Sequence, residues 1–350
     1  MKNDNVTIYD IAREAGVSPA TVSRIINGTA NVKAEKRERV QAVMDKHIFV
    51  PNALAKGLSS RESKTIGVLL SDIRNPFYSS VYLGLETAAV KYGYNAVLCN
   101  ALNDEEAEKQ QLEMMSSRRV DLIVICGGRT DTVTPDDNQI AFMNQIAERV
   151  PIVVAGTADY FPCSTIRIDN RPAMEALMGY LIGLGHRDFA LIGGLAAKTP
   201  TSEKRGLFRN ILHREGLTCN EKWIIETPSY EIADGYEAAK KLFRSPNPPT
   251  AILGINEFVV LGIMQAAADA GLNVPHDISV AGFDNTFLAK LPTPTLTSAG
   301  CMYDEYGEVL MELIRKVIAN PQERLLSMVP SGLTVRKSCA APRQNGMRVD

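Results

Sequence analysis

The sequence predicts two unlike folds in one chain: a small all-α head, then a larger α/β body of two Rossmann-like lobes. Three observations carry this expectation. Residues 7–24, TIYDIAREAGVSPATVSR, read as a helix, a tight glycine turn and a second helix. From Ile66 onward, short β-branched runs alternate with amphipathic segments, the pattern of parallel sheets covered on both faces. Between the two lies a polar stretch, Ser59-Ser60-Arg61-Glu62-Ser63-Lys64. A chain of 350 residues is long for one domain and suits a small head plus a larger body.

In the head, Thr7 stands where an N-cap is needed and Asp10 follows three residues on, the spacing of a capping box. Ile8, Ile11, Ala12 and Ala15 repeat at helical spacing and form one apolar face. Gly16 is placed to end that helix, because a residue without Cβ adopts positive φ at no steric cost. Ser18 caps the next helix, and Pro19 takes its first position, where a missing N–H is harmless. Val22, Ile25 and Ile26 supply its inner face, leaving Pro19, Ala20, Thr21, Ser23 and Arg24 outward. This is a helix-turn-helix pattern, whose second helix meets base edges in the major groove. It also suits a helical hairpin that merely stabilises a larger domain. A third helix is expected over roughly Ala34 to Lys46, with Lys33 offering no oxygen to cap it.

Charge is distributed to match. Residues 1–64 carry 11 Lys and Arg against 7 Asp and Glu, a balance of +4, whereas the remainder carries 27 against 33. A basic head on an acidic body is expected when only the head meets phosphate. Hydrophobic residues at 45% and charged residues at 22% describe an ordinary globular protein with a sizeable core. The cysteines at 99, 126, 163, 219, 301 and 339 show no CxxC pair and read as reduced, mostly buried thiols of a cytoplasmic protein. The four histidines give no metal-ligand spacing. No signal peptide is apparent, and no apolar run approaches the ~20 residues of a membrane span. Neither a metal, nor a cofactor, nor a membrane is expected.

In the body, strands are expected at Ile66–Leu70, Ala96–Leu98, Leu122–Ile125, Ile152–Ala155, Ala190–Ile192, Ala251–Leu253 and Ser279–Phe283. Helices are expected at Phe77–Tyr92, Glu105–Ser117, Gln139–Arg149, Ala173–Leu184, Lys204–Glu215, Ala233–Phe243, Phe258–Ala270 and Tyr303–Ala319. In such lobes ligands bind beyond the carboxyl ends of the strands.

Residues 6–70 resemble the DNA-binding head and hinge of the lactose-repressor/galactose-repressor (LacI/GalR) family. The residues that carry the resemblance are Asp10-Ile11-Ala12, Ala15-Gly16-Val17-Ser18, Thr21-Val22-Ser23-Arg24, Asn27-Gly28, Arg39-Val40, Pro51-Asn52, Ala55 and Leu58. The body, from Ile66 to about Lys337, resembles the family's effector-binding core, which is similar in fold to periplasmic sugar-binding proteins. Its markers include Asn75-Pro76-Phe77, Asp169-Asn170, Leu184-Gly185-His186, Asn256-Glu257 and Ser279-Val280-Ala281-Gly282-Phe283-Asp284-Asn285. The resemblance implies a head over 1–50, a hinge helix and linker over 51–64, a core over 65–338 and a polar tail over 339–350. Within the core it implies a first lobe of about 66–166 and 297–327, and a second of about 167–296 and 328–337.

Candidate DNA contacts are Thr7, Tyr9, Ser18, Pro19, Ala20, Thr21, Ser23, Arg24 and Asn27 in the head. Asn52, Ala55, Lys56 and Leu58 join them in the hinge, with Leu58 as an apolar wedge. In the cleft, Asp72 follows the first strand and suits either a ligand contact or a loop cap. Phe77 and Tyr78 open a helix and suit ligand contact or core packing. Asp169 suits either an N-cap or a ligand, Asn256 follows a strand, and Asp284 follows the strand Ser279–Phe283. Tyr230 falls where the family often places an aromatic that stacks on ligand. The family's ligand-binding Arg maps onto Lys204, ahead of Phe208, with Arg205 beside it as the alternative after a one-residue helix shift. Lys lacks the bidentate fork of Arg. Gly193-Gly194-Leu195-Ala196-Ala197-Lys198-Thr199 fails the phosphate-loop pattern at Ala197 and reads as a βα loop that brings Lys198 to the cleft.

No G-x-S-x-G elbow or Cys/His signature is present, so an enzyme is not expected. The expectation is a ligand-responsive repressor, its effector a sugar or related metabolite bearing hydroxyls or an anionic group. The alternative is a sugar-binding or sugar-processing protein with an incidental helical head. One head covers a half-site, so a homodimer on two-fold symmetric operator DNA is expected, with the helices Phe77–Tyr92 and Leu261–Ala270 as candidate contacts. The tail has no leucine heptads to drive further assembly.

Overall fold

The structure is a computed structural model, and it describes residues 6–27, 32–47, 49, 63–118 and 120–343. The chain divides into two compact units, residues 1–63 and 64–350. In the first unit, α1 (Ile8–Ala15), α2 (Pro19–Asn27) and α3 (Ala34–Lys46) surround a core of Ile11, Ala12, Ala15, Val22 and Val40. The expected signals act as written. Thr7 and Asp10 form a reciprocal capping box, and Gly16 ends α1 at φ 63. Ser18 Oγ accepts from Thr21 N at 3.2 Å. Lys33 makes no side-chain cap for α3. Glu14 instead ties α1 to the end of α3, accepting from Lys46 Nζ at 2.6 Å and pairing with His47 Nε2 at 2.6 Å.

The second unit opens with β1 (Thr65–Leu70), α4 (Pro76–Lys91), β2 (Asn95–Asn100), α5 (Glu105–Ser117), β3 (Leu122–Cys126), α6 (Asp137–Ala147), β4 (Ile152–Ala155) and β5 (Ser164–Ile168). It continues with α7 (Asn170–Gly183), β6 (Phe189–Ile192), α8 (Thr199–Arg214), β7 (Ile224–Ile225), α9 (Ile232–Phe243), β8 (Ala251–Gly254), α10 (Glu257–Asp269), β9 (Ser279–Phe283) and β10 (Thr297–Gly300). It closes with α11 (Tyr303–Ala319), β11 (Leu326–Val329) and β12 (Gly332–Thr334). The strands form two six-stranded sheets, ordered β11-β5-β4-β3-β1-β2 and β12-β10-β9-β8-β6-β7. All pairs are parallel except β12 with β10. The central strands β1, β3, β8 and β9 are almost wholly buried, as expected of strands covered on both faces.

The sheets correct the lobe boundaries. Thr297–Gly300, expected in the first lobe, pairs with β9 in the second sheet. Leu326–Val329 pairs with β5 in the first sheet, and Gly332–Thr334 with β10 in the second. The chain therefore crosses between lobes after β5, after β10 and after β11. Strand pairing decides this: β10 lies parallel to β9 and β11 parallel to β5, while β12 runs antiparallel to β10. The tail is also corrected: Cys339 is buried, and the Ala340 carbonyl lies 2.9 Å from His186 Nε2. That buried imidazole, also joined to Thr250 and Ser279, clasps residues 338–340 to the second lobe.

Close helix packing fixes two further positions. A Cβ on Gly307 would lie 2.1 Å from the Gly84 carbonyl oxygen, so α4 and α11 touch backbone to backbone. Gly235 and Gly262 let α9 and α10 do the same in the second lobe.

Candidate functional site

Two surfaces concern function. On the head, Thr7, Tyr9, Ser18, Ala20 and Arg24 are exposed and Pro19, Thr21 and Ser23 are half-buried. Thr7 and Ser18 also hold helix caps, so their hydroxyls are already oriented. Asn27 ends α2. The hinge candidates Asn52, Ala55, Lys56 and Leu58 lie outside the described residues.

Within the second unit, the carboxyl ends of both sheets face a cleft of about 760 Å³, inside the roughly 300–1,000 Å³ typical of small-molecule sites. It brings together Asp72, Phe77, Tyr78, Lys198, Lys204, Tyr230, Asn256 and Asp284. It does not include Asp169 or Arg205. Asp169 caps α7 by accepting from Arg171 N at 3.2 Å. Arg205 is buried, and its Nη2 donates to the carbonyls of Gly193 and Gly194 at 3.1 Å. The helix shift that would bring Arg205 to the cleft does not occur: on α8, which starts at Thr199, five residues earlier than expected, Lys204 faces the cleft and Arg205 faces the Gly193 and Gly194 carbonyls.

Several cleft groups are engaged by their own loops. The Asp72 carboxylate accepts from Arg74 Nε at 3.0 Å, Arg74 N at 3.0 Å and Asn103 Nδ2 at 3.2 Å. The Arg74 hydrogen bond holds its pKa below the ordinary carboxylate range. Asn256 Oδ1 caps α10 by accepting from Val259 N at 2.9 Å, while its Nδ2 donates to the Tyr230 carbonyl at 3.2 Å. Tyr230 Oη lies 2.8 Å from Thr201 Oγ1. Asn256 thus positions Tyr230. Phe77 meets Tyr78 edge-on, with ring centroids 5.3 Å apart.

Lys204 Nζ donates to the Ile255 carbonyl at 3.2 Å, lies 3.8 Å from Asp284 Oδ1 and sits 4.8 Å from the Phe283 ring centroid. Asp284 itself occupies φ +92, followed by Asn285 at φ +52. Such conformations cost non-glycine residues about 1–3 kcal/mol and persist only when the surroundings hold them. Here Glu257 supplies the hold: its buried carboxylate accepts from Thr286 N at 3.1 Å, from Ser298 Oγ at 3.0 Å and from the Thr286 hydroxyl. Burial and then the neighbouring Asp284 charge push the Glu257 pKa up to about 7. Burial likewise raises Asp284, opposed by Lys204.

Asp131 was missed by sequence reasoning. It ends a short turn after β3 and lines the cleft. Removal from solvent pushes its carboxyl up to about 7, against the attraction of Lys198. The available signal was the strand-end rule, applied to the loop that follows β3. Around Asp131 the lobes are joined directly. Val133 N donates to the Ala197 carbonyl at 2.9 Å, Thr199 Oγ1 to the Asp131 carbonyl at 2.9 Å, and Lys198 Nζ to the Gly128 carbonyl at 3.0 Å.

Comparison with known proteins matches both units. Residues 63–329 match the family described as periplasmic binding proteins and sugar binding domain of LacI family. Residues 7–52 match bacterial regulatory proteins, lacI family. Catabolite control protein A of Staphylococcus aureus (strain Mu50 / ATCC 700699) is 37% identical over 314 residues, 89% of this chain and 92% of that protein. Its counterpart from Priestia megaterium is 34% identical over 314 residues, with the same shares covered. A crystal structure of the lac repressor dimer bound to operator and the anti-inducer ONPF superimposes with a TM-score of 0.85 at 26% identity, covering 97% of this chain and 100% of that one.

Proposed function

This chain belongs to the LacI family of bacterial regulatory proteins, and on that premise we propose that it is a cytoplasmic repressor controlled by a small polar effector. Regulation of transcription follows from the family, and the chain is not an enzyme. The repressor sense, the sugar-like effector and the named contacts are the parts proposed. The observation that carries the reading is the union, in one chain, of a capped helix-turn-helix exposing Arg24 with a cleft lined by acids, amide, cations and aromatic rings.

In this reading α2 enters the major groove, with Pro19, Ala20, Thr21, Ser23 and Arg24 toward the bases, while Thr7, Tyr9, Ser18 and Asn27 meet the backbone. Two copies bind one two-fold symmetric operator, as in the lac repressor dimer. Leu83 and Val90, 58% and 68% exposed on α4, supply apolar surface for the dimer. Asn52, Ala55, Lys56 and Leu58 link head to core and couple effector binding to DNA binding.

The test is a gel shift on the DNA upstream of the protein's own coding region, with and without candidate effectors. A retained fragment whose retention changes with one effector supports the reading. No preference for that DNA over random sequence at equal salt would refute it.

A further inference from the structure

The polar groups of the cleft are not equally engaged. Among the described residues, its four cationic side chains are Arg129, Arg167, Lys198 and Lys204. Arg129 donates to Glu108 at 2.5 Å and to the Glu105 carbonyl at 2.9 Å. Lys198 donates to Gly128 and Lys204 to Ile255. Arg167 donates to Asp159 at 2.8 Å and keeps one unpaired Nε–H. The carboxylates divide differently. Asp72, Asp104 and Glu108 are hydrogen-bonded within the first lobe, Glu203 accepts from Asn170 Nδ2, and Glu105 and Glu231 are exposed at the rim. Asp131 in the first lobe and Asp284 in the second have no hydrogen-bond donor on their carboxylates among the described residues, and the nearest cation to Asp284 is Lys204 at 3.8 Å. Both line the cleft, one from each side.

A carboxylate withdrawn from water without donors is costly, and the cost falls when a charged donor is supplied. What is missing is a donor on Asp131 and on Asp284, since three of the four cations are committed to other acceptors and Arg167 keeps only one unpaired N–H. The cleft does not lack acceptors. Resting on the effector-binding reading above, we propose that the effector is a small hydroxylated molecule bearing a protonated amine, an amino sugar in chemical class, held between Asp131 and Asp284. The amine pairs with one carboxylate and the hydroxyls donate to the other, so one molecule ties the two lobes together. Lys204 fits this assignment: in place of a forked guanidinium it is a point charge turned onto Ile255 and Phe283, which leaves the Asp284 oxygens open to a ligand. The N-terminus of α8 has no side-chain cap and favours an anion, so a phosphorylated sugar is the natural competitor.

The test is calorimetric titration of the full-length protein with matched sugars: glucosamine, galactosamine and mannosamine, their neutral hydroxyl parents, their N-acetyl forms, and the 6-phosphates of the parents. The expected result is that one amine binds at least tenfold tighter than its own parent, its N-acetyl form and the phosphate. Asp131→Asn and Asp284→Asn are each expected to remove that preference, leaving the amine and its parent within about twofold. Circular dichroism and operator retention confirm that each variant is folded. Tighter binding of a neutral sugar or a phosphate overturns the amine while leaving an effector-controlled regulator in place. Binding of no sugar in the panel, with operator retention intact, also overturns it. Loss of the regulator reading itself would appear separately, as failure of the unliganded protein to retain operator DNA.

Discussion

Arg24 and Asp131 illustrate two kinds of residue, one whose role is written in its phase along a helix and one whose role depends on its neighbours. Arg24 lies outward on α2 while Val22 is wholly buried, so truncation removes a contact without disturbing the core. Arg24→Ala is expected to weaken operator binding by about 1–3 kcal/mol if it meets a base, or to lower the salt slope by about one if it meets phosphate. Fluorescence anisotropy at several salt concentrations separates the two, and no change in either would remove Arg24 from the interface. Asp131 carries a folded pKa of about 7 against an ordinary 3.8. Between those values the folded state holds more protons than the unfolded state, so this group's contribution to stability falls as pH rises through the window. Asp131→Asn is therefore expected to raise the melting temperature at pH 8 and leave it nearly unchanged at pH 4, at about 2–4 °C per kcal/mol. An equal shift at both values would assign the effect to packing. The ionisable groups acting on Asp131 are Lys198 and Glu108, and the phenols of Tyr78 and Tyr230 and the Cys126 thiol lie close enough to feel its charge.

At the scale of elements, contact distance decides function. The α4–α11 pair depends on Gly84 and Gly307, where a methyl group would meet a carbonyl oxygen at 2.3 Å and 2.1 Å respectively. Gly307→Ala must separate the helices and is expected to cost about 1–3 kcal/mol, read as a lower urea midpoint at unchanged slope. A midpoint equal to the parent's would mean that the helices part freely. Across the cleft, Thr132 and Lys198 form an antiparallel bridge between the lobes. Facing residues in such a bridge stand about 4.5–5.5 Å apart at Cα, inside the roughly 4.4–6.8 Å that a disulfide spans. The double variant Thr132→Cys, Lys198→Cys is expected, once oxidised, to hold operator affinity constant whatever effector is added, with the response restored by dithiothreitol. If the cross-linked protein, verified by mass, still responds, lobe movement does not carry the signal.

At the scale of the molecule, the exposed apolar side chains of the first lobe set the expected assembly. Leu83 and Val90 on α4, with Val97 at 46% exposure on β2, leave apolar surface on one stretch of chain, and such surface in a soluble protein marks an interface when contiguous. Leu83→Asp with Val90→Asp is expected to convert a dimer to a monomer by light scattering. Operator affinity is expected to fall with it by more than tenfold, because one head covers only half of the site. A variant that remains dimeric would move the interface elsewhere on the core.

Much of this protein was determined locally. The capping box at Thr7 and Asp10, the left-handed Gly16 and the first-turn Pro19 are decided by residues within one or two turns, as was the β–α alternation of the body. For that reason the head helices appear within a residue or so of their expected bounds. The cleft candidates Asn256 and Asp284 were legible because a strand-end rule needs only the strand to be found, Lys198 because its loop reads as a βα connection, and Lys204 and Tyr230 through the family resemblance. What the tertiary structure decided is non-local. The edge strands Thr297–Gly300 and Leu326–Val329 found their sheets by pairing with segments distant along the chain. Asp169 and Arg205 left the site because a cap and a set of buried carbonyls captured them first. Asp131 lies at a strand end that the sequence could have offered, but its contact with α8 of the other lobe, where Thr199 donates to its carbonyl, is non-local. A hydrogen bond between segments far apart along the chain leaves no trace in either segment's own pattern, and so these assignments waited on the fold.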